Sequence, residues 1–283
     1  MIPGAFAYHR PTSVKEAVGL LTQLGDDGRA LAGGHSLIPM MKLRLATPAE
    51  VVDLGRIPGL NGIAEAGGFV HIGAMATHHA VETSPLVRAR CPLLSETAGH
   101  IGDAQVRNMG TLGGSIAHAD PAADYPAALL ALEAQIRLVS AHSDRTVEAA
   151  DFFLDAFTTA LEPGEIVLEV RVPVEDSIEG YCYEKVAHPA SGFAVVGVAV
   201  RVKRSGGRIA MARMGVTGMG PRAFRERAAE RLLEEGAAVE QAAAVVGDGE
   251  EANSDLCASA DYRRHLARIH ARRALAVALS RAS

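Results

Sequence analysis

The sequence predicts a two-part α+β protein, and three observations carry that expectation. Short apolar runs alternate with helix-spaced ones through the first half of the chain. Around residue 176 the pattern changes to long strand-like runs joined by a Gly-rich turn at 205–207. From Pro221 it changes again, to Ala-rich helical spacing. The 283 residues, 48% hydrophobic and 22% charged, suffice for two cores. We therefore place a first domain over 1–175, with subdomains 1–55 and 56–175, and a second over 176–283.

The elements follow in order. Ser13 and Glu16 have capping-box spacing before a helix whose Val14, Ala17, Val18, Leu21 and Leu24 share one face, and Gly25 suits its stop. Residues 29–34 predict a short strand entering a glycine turn, 49–57 a second strand ending near Asp53, and 69–77 a third with period-two alternation. Residues 83–102 predict helix, and the segment after them, with Gly110, Gly113 and Gly114, a loop. Asp124 opens a helix through Leu132, and 134–140 predicts a strand. Residues 147–161 predict helix, and 165–174 a strand ending at Pro173. Residues 179–187 and 193–220 predict strands of an antiparallel sheet, and everything from Pro221 predicts helix.

Composition excludes several functions. With 28 Lys and Arg against 33 Asp and Glu the net charge is −5, and Trp is absent, so nucleic acid is not an expected partner. Cys91, Cys182 and Cys257 are too few and too scattered for a disulfide framework, a thiolate zinc site or an iron–sulfur cluster. No signal peptide or membrane span is expected, and the expected location is the cytoplasm. His78 and His79 lack a third ligand at sensible spacing and read as surface or loop histidines, so no metal site is expected. Ser36 and Ser115 have no acid–His relay nearby, which argues against a hydrolase.

Two motifs carry chemistry. Residues 32–36 read Ala-Gly-Gly-His-Ser, and residues 111–115 read Thr-Leu-Gly-Gly-Ser. Each serves as a plain turn or as a backbone nest for an anion. Neither is a Walker loop or a GxGxxG fingerprint. Two such turns suggest a diphosphate clasped from two sides, as in a dinucleotide held between two subdomains.

With these loops, the segment 101–132 and the closing 261–275, the chain resembles the FAD-binding medium subunit of molybdenum hydroxylases, the relatives of carbon monoxide and xanthine dehydrogenases. The resemblance covers essentially the whole chain. It implies a FAD domain of the vanillyl-alcohol-oxidase (PCMH) type in two subdomains, followed by a C-terminal flavoprotein domain. It further implies that Ala32, Gly33, Gly34, His35 and Ser36 form a first diphosphate loop with Leu37 following it at the cofactor, and that Thr111 to Ser115, with Gly113 and Gly114, form a second. Asp124 matches an acid on the cofactor's sugar and nucleotide side, Ile166 or Val167 an apolar contact, and Lys185 a lysine reaching the cofactor. Ile101 stands where some relatives carry an aromatic residue, and Phe193 follows Gly192 where an aspartate is common.

The implied cofactor is FAD, and no side chain is expected to act as a catalyst of its own. The implied partners are a small iron–sulfur subunit, a large molybdenum-cofactor subunit and an external electron acceptor, in a heterotrimer that is doubled to a heterohexamer. Two other readings stand beside this one. One is a stand-alone flavin oxidase with FAD attached at His35, and the other is an assembly module that has lost the cofactor.

Overall fold

The structure is a computed structural model in which residues 2–174 and 179–282 are described. The division expected at 175/176 lies outside the described residues. Three main sheets organise the chain.

The first sheet is parallel, with Glu50–Asp53 between Ala7–His9 and Gly28–Leu31. The helix Val14–Leu24 buries Ala17, Val18 and Leu21, with Val52 and Ile57 in the same cluster. Ser13 Oγ accepts from Glu16 N, but the Glu16 carboxylate turns to Thr12 N, so the capping box is displaced by one residue. Gly25, at φ 54°, ends the helix where a side chain would be strained.

The second sheet is antiparallel, in the order Ile63–Ala66, Phe69–Gly73, Ile166–Pro173, Gln135–Val139, Asp144–Glu148. Helices cover its inner face. The expected helix over 83–102 is two, Pro85–Arg90 and Pro92–Gly99, because Pro92 lacks the N–H needed to continue the first. The expected loop after Gly102 is also two helices, Ala104–Met109 and Leu112–His118. Asp103 and Thr111 satisfy first-turn amides with their side chains, which lets Gly113 and Gly114 be helical. The expected helix over 147–161 is mostly absent. Only Ala149–Phe152 is helical, while Asp144–Glu148 joins the sheet and Phe153–Asp155 pairs with Thr158–Thr159.

The third sheet, antiparallel, runs Glu179–Ala187, Ala194–Ser205, Arg208–Thr217, Phe224–Arg225. The region after Pro221 is less helical than expected. Helices span Arg227–Glu234, Val239–Ala244 and Ala260–Arg281, and the stretch between the last two turns through Gly247 and Gly249 at φ 77° and 80°.

The sheet is buried on both faces, so its middle strand is a near-continuous apolar run. One face packs on the helix Ala260–Arg281, where a Cβ on Gly180 would fall 1.9 Å from Ala278 O. The other packs on the helix Tyr125–Ala131, where a Cβ on Gly215 would fall 2.0 Å from Ala127 O. Tyr183 and Ala199 accordingly join the core of the second sheet.

These contacts make glycine effects position-dependent. We expect Gly215→Ala to destabilise the protein by about 3 kcal/mol or more, because rigid backbone stands in the way. Gly19 is exposed, helical and faces open space, so Gly19→Ala should stabilise by about 0.5–1 kcal/mol. Urea unfolding of both variants against the parent chain checks the two signs.

Candidate cofactor site

The site is built where the two glycine loops touch. A Cβ on Gly33 would lie 2.1 Å from Met109 O, and one on Gly113 would lie 2.7 Å from Ala74 O. These two glycines therefore let protein backbone approach protein backbone. Gly34 is different: its φ of 75° favours glycine at the turn itself. Gly114 lies between the loops, where a Cβ would be 2.8 Å from Thr111 Oγ1 and 3.2 Å from Ala32 Cβ.

Beside the paired loops is a cleft of about 590 Å³, within the range of small-molecule and cofactor pockets. Of the residues expected at the site, Ala32, Gly33, Gly34, His35, Ser36, Leu37, Ile101, Thr111, Gly113, Gly114, Ser115, Asp124, Ile166, Val167 and Phe193 all line it. Two apolar sets share the walls with the loops. One includes Leu54, Met75 and Ile166, and the other includes Ile101, Val106 and Phe193.

Lys185 is the exception: it is not on the wall. Its Nζ donates to Asp124 Oδ2 and to His100 O, both at 2.9 Å. The side chains of Lys185 and Asp124 are 3% and 4% exposed. Tyr183 Oη donates to Asp124 Oδ1 at 2.5 Å. Burial holds the Asp124 carboxyl above its usual range, and the Lys185 charge with the Lys185 and Tyr183 hydrogen bonds offsets only part of that. The strand places these groups by alternation. Tyr183 and Lys185 point one way, while Cys182 and Glu184 face the helix Ala260–Arg281. Gly197 makes room, since a Cβ there would lie 2.4 Å from Tyr183 Oη.

The same sheet grips the backbone before Asp124. Thr217 Oγ1 lies 3.0 Å from Pro121 O and 2.7 Å from Ala123 O. Gly218 N donates to Pro121 O and Ala194 N to Ala122 O.

Sequence reasoning missed Tyr183 and Thr217, whose roles depend on strand pairing, and it misplaced His78. That residue is 4% exposed, lines the cleft, and holds Nδ1 3.2 Å from Tyr125 Oη. His79 is exposed, as expected. Burial, then the neighbouring His35 and Arg107, pulls the His78 pKa from 6.5 down to about 4. Among the described residues there is no group of three or more His, Cys, Asp or Glu side chains that could hold a metal. No helix among them is long and apolar enough to cross a membrane.

Comparison with known proteins gives the cleft a context. The FAD binding domain in molybdopterin dehydrogenase matches residues 4–175, and the CO dehydrogenase flavoprotein C-terminal domain matches 181–278. The chain is 44% identical to the carbon monoxide dehydrogenase medium chain of Hydrogenophaga pseudoflava, covering 99% of both. It is 40% identical to the glyceraldehyde dehydrogenase medium chain of Sulfolobus acidocaldarius, covering 82% of both. Among solved structures, carbon monoxide dehydrogenase from Hydrogenophaga pseudoflava, lacking the Mo-pyranopterin moiety, superposes with a TM-score of 0.97 at 45% identity over the whole of both chains.

The residues present fit FAD. Hydroxyls, imidazoles and loop backbone suit a polar, anionic middle, and the two apolar sets suit ring systems.

A pH dependence follows from His78. Below pH 6.5 the unfolded chain takes up a proton that the folded site disfavours, so stability is lost as pH falls. Its contribution is fully present above 6.5 and disappears on acidification to about 4. We expect the flavin-free protein to lose roughly 3 kcal/mol across that window relative to His78→Gln, which cannot titrate. Urea midpoints at stepped pH measure it, and a flat difference would contradict it.

Proposed function

The chain belongs to the FAD-binding medium-subunit family of carbon monoxide dehydrogenase-type molybdenum hydroxylases, and from that premise we propose how it works. It holds one non-covalent FAD in the cleft, as the flavoprotein of an oxidoreductase complex. FAD supplies the redox chemistry, accepting electrons and releasing them to an external acceptor. The electrons come from iron–sulfur clusters of a small subunit, after substrate oxidation at a molybdenum cofactor in a large one. The assembly is a doubled heterotrimer in the cytoplasm. The three scattered cysteines support this division of labour, since they leave the clusters to a partner.

The chain's own residues bind and orient. The loops at 32–37 and 111–115 hold the diphosphate from two sides. Asp124, kept in place by Lys185 and Tyr183, offers fixed acceptor oxygens at one wall. Lys185 thus acts through Asp124. Ile101 and Phe193 cover one ring system, and Ile166 and Val167 the other. The observation that carries the reading is the convergence of both loops, Asp124 and the apolar residues on one cleft. We divide the chain at 1–175 and 176–283, with subdomains 1–55 and 56–175. The parallel sheet ending at Asp53 and the antiparallel sheet beginning at Ile63 support the inner boundary.

Two experiments test this. Acid denaturation of the purified protein should release FAD into the supernatant, and native purification should yield three polypeptides with iron and molybdenum. FMN, pellet-bound flavin or full activity of the lone chain would overturn it. Separately, Gly114→Val should abolish FAD binding, because its side chain pushes the loops apart at Ala32. Losing the Thr111 cap should cost the fold only about 1 kcal/mol. FAD titration and thermal midpoints of the flavin-free proteins separate the two effects.

A further inference from the structure

The proposed FAD site gives no task to a buried histidine on its own wall. His78 sits on the wall of the cleft where the two glycine loops meet. Its amide donates to Gly110 O at 2.9 Å, and Thr77 before it bridges to Thr111. The ring lies against Gly110, where a Cβ would fall 2.5 Å from Nε2. Gly33 packs against the same Met109–Gly110 backbone, which brings the first loop to this point as well.

Tyr125 fixes the ring's hydrogen. Its hydroxyl belongs to a fully buried residue, and among the described residues His78 Nδ1 is the acceptor within its reach. A buried O–H must donate, so Nδ1 carries no hydrogen and the neutral ring is protonated on Nε2. Among the described residues, Nε2 has no hydrogen-bond partner. Burial keeps the imidazole uncharged near neutral pH, and His35, Arg107 and Tyr125 are the titratable groups around it. The result is an uncharged donor at the junction of the loops.

We propose that His78 Nε2–H donates to a diphosphate oxygen of the bound FAD, with Tyr125 holding the required tautomer. This rests on the FAD reading given above and adds a binding residue that neither glycine motif contains. A diphosphate oxygen is preferred to a flavin carbonyl because the ring stands between the loops rather than among the apolar residues.

Two isosteres separate donor from filler. His78→Gln places an amide N–H near Nε2 and gives up the Tyr125 bond. His78→Asn places its amide near Nδ1, keeps a partner for Tyr125 and loses the donor. Full-length, flavin-free protein is titrated with FAD, ADP and riboflavin. Asn should weaken FAD and ADP about tenfold or more, the effect of one hydrogen bond to a charged acceptor, and leave riboflavin unchanged. Gln should stay within about threefold of the parent for all three. Tyr125→Phe, with His78 intact, should weaken ADP several-fold, because Nδ1 can then hold the hydrogen. A structural role alone gives the reverse order, with Asn the milder change. Equal ADP binding by Asn, Gln and parent, or a loss seen with riboflavin instead of ADP, overturns the proposal while the FAD reading stands. A parent chain that binds no FAD overturns both.

Discussion

The buried pair of Lys185 and Asp124 is the contact on which the rest of the site depends. A carboxylate at 4% exposure is costly unless a cation and hydrogen bonds meet it. Here the cation and the phenol come from one strand of the C-terminal sheet, and the acid stands at the start of the helix Tyr125–Ala131. The requirement spreads outward. Strand alternation must point Tyr183 and Lys185 at the acid, Gly197 must leave room for the phenol, and Thr217 and Gly218 must fix Pro121. The wall that Asp124 gives to the cleft is therefore assembled by the second domain. That domain is a structural part of the cleft even though Phe193 and its neighbours are its few residues on the surface.

The glycine motifs were legible in the sequence, but their physics was only half legible. From the sequence each motif stands as a plain turn or as a nest for an anion, and the pair of them suggests a clasped diphosphate. Gly33 and Gly113 instead let the loops and the strand end at Ala74 meet backbone to backbone. Gly34 supplies the positive φ of the turn, and Gly114 stands between the loops facing Ala32. The motif thus first locks two segments of the chain together. The cleft is a consequence of that lock.

Local signals were read correctly where they were local. The Ser13 cap, the apolar stripe of Val14–Leu24 and the Gly25 stop all lie within thirteen residues, and each acts as expected. The stretch 147–161 misled because its apolar residues have helical spacing, while Asp144–Glu148 is held by a ladder to Gln135–Val139. Sheet pairing overrode propensity there. The segment after Gly102 misleads in the opposite sense, because its glycines suggest a loop while caps at Asp103 and Thr111 carry two helices through it. His78 reads as a surface residue because its neighbours in the fold, Tyr125 and Gly110, are 47 and 32 residues away in the chain. The one signal within reach was Thr77, an N-cap that fixes His78 at the first position of a helix beside a buried strand.

The electrostatics of the cleft follow from these assignments. Arg29 is the one arginine or lysine on its walls among the described residues, and its guanidinium already donates to Asp26 O and Gly28 O. Lys185 is engaged by Asp124, and Glu165 by Arg145. A bound diphosphate would therefore meet dipoles more than cations: hydroxyls, loop amides and neutral imidazole. Such a site holds its ligand by oriented donors fixed in a packed frame, and this preorganisation keeps their ordering cost low at binding. It also explains why so much of the structure beneath the cleft is rigid backbone contact at glycine. Dipoles attract an anion strongly only when they cannot turn away, and the two locked loops are what prevents them from turning.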